Sequence, residues 1–229
     1  MKARDPMLPH PRRVKQHEFK NRLRNRYLLP DHGFEPTTLE DLLKLPQGRV
    51  DDHNRLVNFP LSSDVNNGRA VAIVGYVTDV LVLGCVAADA KDGKILEVDL
   101  PKRKGVESAI CYVNDPNLCT TQIFITSDPN LPTEGGRNLF VVNVTQRSRI
   151  LAKRKLLISD IGNDWSTQIL RKKILKHWVR FSGWLFFNQN YRERGWAIDL
   201  NDKIGKPNDR QSAWGLHPVM GIEVDVISK

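Results

Sequence analysis

From Arg69 onward the chain reads as three β-type runs, one basic helix and two further β-type runs, an order that leaves few folds open. The first run, Arg69 to Leu83, is long and rich in β-branched residues, and Gly75 in its interior predicts a bulge or sharp bend. Residues 87–105 read as an excursion, with Lys91-Asp92-Gly93-Lys94 as a hairpin-type turn before Ile95 to Leu100. Thr121 to Thr126 and Asn138 to Thr145 follow as the second and third strands. Residues 165–177 then place Trp165, Ile169, Leu170, Ile174 and Leu175 on one helical stripe behind Asp164 as a cap, with a basic last turn. In the fourth strand, Trp178 to Phe187, residues Val179, Phe181, Gly183, Leu185 and Phe187 share one face, and Trp178, Arg180, Ser182, Trp184 and Phe186 share the other. After a polar loop the last strand is expected at Gly221 to Val226.

This is the order of an OB-fold: a mainly β, five-stranded Greek-key barrel with one helix between strands three and four. An SH3-like barrel lacks that helix. Ahead of it, residues 1–67 are rich in proline, Pro6, Pro9, Pro11, Pro30, Pro36 and Pro46 among them, and predict an extended arm with short helices. One falls at 14–28, with Val14, Phe19, Leu23 and Tyr27 at helical spacing; the other starts at the capping Thr38, with an acidic first turn, and stops at Pro46. The chain thus divides into an arm, 1–67, and a barrel domain, 68–229. An arm with so little apolar surface is expected to wrap its own domain or a partner protein.

Composition excludes several classes. With 40% hydrophobic and 27% charged residues the chain is globular, not disordered throughout. The longest apolar stretch, 71–86, is interrupted by Gly75, Thr78, Asp79 and Gly84, so no membrane span is expected. The basic N-terminus leads into no apolar run, and Cys85, Cys111 and Cys119 have no framework spacing; together these predict a cytoplasmic protein without disulfides.

The net charge of +9 is unevenly spread. Residues 1–30 hold nine Lys/Arg against Asp5 and Glu18, and residues 147–180 hold ten against Asp160 and Asp164, leaving the rest of the chain acidic. Like charges kept together repel unless a polyanion neutralises them, and nucleic acid, single-stranded or structured, is the commonest such partner. The expected contacts are Arg147, Arg149, Lys153, Arg154, Lys155, Arg171, Lys172, Lys173 and Arg180. The competing expectation is an accessory subunit of a larger protein assembly, anchored through Arg12, Arg13, Phe19, Arg22, Arg24, Arg26 and Tyr27 of the arm. Base-stacking platforms are scarce, because Phe124 and Phe140 alternate with apolar neighbours and read as core; Trp184, Phe186 and Tyr191 remain as candidates.

The C-terminal half is more specific. Val179-Arg180-Phe181-Ser182-Gly183-Trp184-Leu185-Phe186-Phe187, followed after a loop by Ala213-Trp214-Gly215-Leu216-His217-Pro218-Val219-Met220-Gly221-Ile222-Glu223-Val224, resembles a family of small, largely uncharacterised bacterial OB-fold proteins. That family's pattern has a VRVSGWLLFD strand and closes on WEIHPVTxIEV. The likeness runs from about residue 70 to 227 and implies an OB-like barrel with no settled activity. Trp184, Trp214, His217 and Pro218 would be its structural motif. Where the family carries a cysteine-histidine cluster this chain has Ala109-Ile110-Cys111-Tyr112; where it has an aspartate and histidine at the second strand this chain has Thr120 and Gln122; the third-strand acid is Asn143. A metal or acid/base site would need ligands and bases that these residues do not supply, so the expectation is a binding role with no catalytic residue, no metal and no cofactor. A hydrolase working through His217 is the remaining enzymatic reading. Asp79, Asp89, Asp92, Glu97 and Asp99 are explained by turn and strand-edge solvation, and no Gly-rich phosphate loop, GxSxG or HExxH occurs.

Overall fold

The computed structural model describes residues 29–45, 49–50, 56–57, 69–83, 102–103, 120–133, 138–187, 212 and 214–224. Ten strands and three helices occur among them. In chain order these are β1 (Glu35–Pro36), α1 (Leu39–Leu43), β2 (Arg49–Val50), β3 (Leu56–Val57), β4 (Ala70–Leu83), β5 (Lys102–Arg103), β6 (Thr120–Thr126), β7 (Phe140–Val144), α2 (Gln146–Lys153), β8 (Ile158–Ser159), α3 (Thr167–Ile174), β9 (Trp178–Phe187) and β10 (Trp214–Val224).

Five long strands close a barrel. β4 pairs antiparallel with β6 and β6 with β7; β7 runs parallel to β10; β10 pairs antiparallel with β9, and β9 returns antiparallel to β4. The one parallel contact joins the third and fifth barrel strands, so the chain must cross over between them, and the crossover carries α2 and α3. This is the expected OB-type barrel, with the helix expected before strand four present as α3 and a second helix, α2, ahead of it. Three short strands border it: β1 and β5 lie parallel to β4, and β8 lies parallel to β10.

β4 serves both halves of the barrel, pairing through Ala70–Tyr76 with β9 and through Tyr76–Leu83 with β6. The bulge falls at Val77/Asp79 instead of at Gly75. Gly75 answers a different need: a Cβ there would lie 2.9 Å from Leu39 Cδ1 and 3.0 Å from Ile125 Cβ, so its bare backbone lets α1 close onto the barrel.

The interior follows the alternation read from sequence. Val71, Ile73, Ile123, Ile125, Phe140, Val142, Val179, Phe181 and Leu216 point inward. α3 adds Leu170 and Ile174 and α1 adds Leu39 and Leu42, all essentially inaccessible, so the helix expected at Thr38 belongs to the barrel's core. Thr38 caps α1, accepting from the Asp41 amide at 3.1 Å. β1 fixes the entry of this segment, with Glu35 opposite Val71 and Arg69 bonded to Glu35. The rest of the arm, including the helix expected at 14–28, lies outside the described residues, as does the hairpin at 91–94.

Two boundaries move. α3 is capped by Ser166, whose hydroxyl accepts from the Ile169 amide at 3.4 Å; Asp164 instead accepts from the Ser166 amide at 2.8 Å, one step upstream. The last strand begins at Trp214, seven residues earlier than expected. Pro218 inside a strand ordinarily signals a break, but here register shifts on either side of Val219 absorb it. Gly183 is the register partner of Val219, and a Cβ there would stand 2.7 Å from the Pro218 carbonyl oxygen. The His217–Pro218 peptide bond is cis.

Candidate functional site

The basic segment of the sequence is the crossover between β7 and β9. α2 is capped by Thr145, which accepts from the Ser148 amide at 3.1 Å. It ends in a Schellman motif: the Leu156 amide donates to Leu151 O at 3.0 Å and the Lys155 amide to Ala152 O at 2.8 Å. The residue in the left-handed position is Lys155, with φ 59°, where glycine is the usual occupant. Lys153, Arg154 and Lys155 are therefore thrown outward on one tight turn, and all three are exposed. α3 presents Lys172 and Lys173, also exposed, in its last turn. Its end is fastened to β4 by the Lys176 amide donating to Val77 O and the Val77 amide to His177 O, each at 2.9 Å.

The other candidate cations have local duties. Arg149 faces inward: Nε donates to the Trp165 carbonyl at 3.0 Å, and a terminal nitrogen donates to the hydroxyls of Thr121 and Thr167. It ties α2, the loop before α3 and β6 together, so its guanidinium is engaged within the fold. Arg171 bonds Asp79 at 3.3 Å and the Val80 carbonyl at 3.0 Å. Asp79, which also accepts from the Val80 amide at 2.8 Å, thus serves the bulge in β4. Arg180 lies on the outer face of β9, 3.8 Å from Glu223. Arg147 is half-buried. Five of the nine, Lys153, Arg154, Lys155, Lys172 and Lys173, remain exposed with no ion-pair partner among the described residues.

The face that OB-folds commonly use, the outer surface of the second and third strands, is here buried and carries an apolar row followed by a polar one. Phe124 and Val141 stand opposite one another and form with Leu81 a cluster of its own outside the barrel, each 5% exposed or less. Phe140 is in the barrel core as expected, whereas Phe124 is buried on the opposite face. The next row pairs Gln122 with Asn143, and His217, one position beyond the Leu216–Val142 pair, completes it. This row holds two amides and one imidazole, whose ring sits 5.4 Å from Phe186; residues 109–112 lie outside the described residues. Amides neither titrate nor bind cations strongly, so this row supplies hydrogen bonds and no general acid or base beyond His217. Among the described residues no three His, Cys, Asp or Glu side chains stand together.

The tryptophans of the motif are packed inside the fold. Trp184 is buried with Ala70, Leu151 and Met220, and Trp214 packs at 5.1 Å against Phe187. Trp184 and Phe186 offer no free stacking surface, being 3% and 7% exposed. Arg12, Arg13, Phe19, Arg22, Arg24, Arg26, Tyr27, Tyr191 and all three cysteines lie outside the described residues. No described helix is long and apolar enough to cross a membrane.

Sequence reasoning missed an open groove of about 740 Å³ on the barrel wall away from the β6–β7 face. Its floor is the outer row of β4, β9 and β10 (Ala72, Val74, Trp178, Arg180, Ser182, Glu223), and its sides are Phe34 to Glu40 and Ile158. The signal was present, since Trp178, Arg180 and Ser182 were on one face of the fourth strand, but nothing local revealed that β1, α1 and β8 would wall it in. No family model and no curated protein matches the chain.

Proposed function

We propose that this chain is a non-catalytic nucleic-acid-binding module of the OB type, gripping single-stranded or structured nucleic acid mainly by its phosphates. One observation carries the reading: Lys153, Arg154, Lys155, Lys172 and Lys173 are exposed on the crossover with no carboxylate neutralising them among the described residues. Lys155 reinforces it, because a cation occupies a left-handed position that glycine would hold with less strain. Phosphates are the natural counter-charge for such a cluster, and association with them releases condensed counterions.

Oligonucleotide binding across a salt series tests this. Five neutralised phosphates on a single strand give a log–log slope of about −3.5. Replacing the five residues with Gln should flatten the slope toward zero, and unchanged retention of DNA and RNA would refute the proposal. The second reading, an accessory subunit of a protein assembly, draws on Ile150, Leu156 and Ile158, exposed aliphatics clustered on and after α2. A mainly apolar protein contact would respond little to salt, so the same series separates the two.

A further inference from the structure

The groove over β4, β9 and β10 has a composition different from that of the exposed crossover cations. Apolar residues (Phe34, Pro36, Leu39, Ala72, Val74, Ile158) share its lining with hydroxyl and charged side chains, and its volume of about 740 Å³ is that of a ligand site. Trp178 lies in the floor, half-buried, its ring set edge-on to Tyr76 at 5.7 Å. Beside it stand Arg180, 45% exposed, and the acceptors Glu223 and Glu40. With two carboxylates to one guanidinium, the groove itself does not attract phosphate. A flat aromatic surface next to carboxylate acceptors fits an uncharged planar ring bearing amino groups.

We infer that the groove takes an unpaired base of the bound nucleic acid, stacked on Trp178 with its exocyclic amine donating to Glu223 or Glu40. This rests on the phosphate-binding reading above and deepens it: the ligand is single-stranded where it meets the groove, because a base paired and stacked within a duplex has no free face to lay on Trp178. The crossover supplies the backbone contacts at the right range. Ile158 forms the groove wall and Lys155 precedes it by three residues, so the basic turn lies within about 10 Å along the chain. Cytosine, adenine and guanine carry the amine that the carboxylates accept, whereas thymine and uracil offer one imide N–H set between two carbonyl oxygens that the carboxylates repel, and are disfavoured.

Fluorescence anisotropy with labelled (dC)15, (dT)15 and a 15-base-pair duplex tests the assignment in the full chain. Wild type should hold (dC)15 at least fivefold tighter than (dT)15. Trp178→Leu, which keeps apolar bulk but removes the ring, should weaken (dC)15 about tenfold without changing the salt slope. The double variant Glu40→Gln/Glu223→Gln should erase the preference for (dC)15 over (dT)15. Melting curves alongside show which variants stay folded, and Arg180→Gln, at an exposed position, serves as a second probe of the groove if Trp178→Leu does not. Strands that bind with the expected salt slope, with no base preference and no effect of these substitutions, would overturn the groove assignment and leave the phosphate reading intact. Failure of wild type to bind any strand at low salt would remove both. Equal retention of duplex and (dC)15, or capture in the groove of an acidic Leu/Phe-rich peptide instead of (dC)15, would also overturn it.

Discussion

Replacing Arg149 by Met separates structural from ligand-binding cations within the basic crossover. Among the described residues the guanidinium makes three hydrogen bonds, to the Trp165 carbonyl and to the Thr121 and Thr167 hydroxyls, and joins α2, β6 and the start of α3. Methionine keeps most of the apolar stem but none of the donors. The two threonine hydroxyls, 2.5 Å apart, continue to satisfy each other, while the Trp165 carbonyl loses its guanidinium partner. A hydrogen bond to a charged group is worth roughly 1.5–3 kcal/mol. Because the three act on one side chain they do not add, and the expected loss is about 2–4 kcal/mol. At roughly 2–4 °C per kcal/mol for a chain of this size, Tm should fall by about 5–15 °C. The same substitution at exposed Lys153 should move stability by less than about 0.5 kcal/mol. Thermal melts followed by circular dichroism measure the first effect, and oligonucleotide affinity at a temperature where both variants are folded measures the second. An Arg149→Met protein that melts with wild type yet loses as much affinity as Lys153→Met would refute the division, since it would show the guanidinium serving an external anion.

Three further substitutions probe the frame. Lys155→Gly relieves the left-handed backbone at φ 59° and should stabilise the fold by about 1 kcal/mol while weakening polyanion binding; urea titration and a binding curve on the same protein check both signs. Leu42→Ala should cost about 2–4 kcal/mol, because Leu42 is fully buried in the barrel core; a change below 1 kcal/mol in urea unfolding would mean that α1 is not part of the cooperative unit. Glu35 has its carboxyl held below the ordinary carboxylate range by hydrogen bonds from Arg69, against a smaller opposing effect of burial. Its contribution is therefore present above the unfolded pKa and disappears as pH falls through the lowered one, and Glu35→Gln should remove this acid-side loss. The pair is exposed, so the effect is under about 1 kcal/mol and fades in high salt, which pH-dependent melts in two salt concentrations resolve.

Much of the barrel could be read locally because its signals are local. Alternation along 179–187 put Val179 and Phe181 together on one face of the strand, the face that the structure turns inward, and the order of runs placed a helix between the third and fourth strands. The capping threonine at 38 fixed the start of α1 to within a residue. Other features depend on partners far away in the chain. Pro218 looks like a strand terminator until Gly183 is seen across from the adjacent Val219, leaving space for the bulge. α2 was hidden because its sequence, Gln146 to Lys153, is polar enough to read as linker; only contact with the barrel gives Ser148, Leu151 and Ala152 a buried side.

The candidate site divides along the same line. Charge clustering is additive along a chain, so the sequence alone determined that 147–180 would be a basic segment and that Gln122 and Asn143 offer neither metal ligands nor bases. Which cations point outward is a question of three-dimensional neighbours. Arg149, Arg171 and Lys153 are indistinguishable in a linear count, yet Arg149 reaches Thr121 and Thr167, Arg171 reaches Asp79, and Lys153 reaches solvent. The groove holding Trp178 exists only because β1 and β8, separated by more than a hundred residues, border the same sheet. Residue type and spacing encode period, caps and charge, whereas enclosure and ion pairing arise from long-range packing and were decided only when the barrel closed.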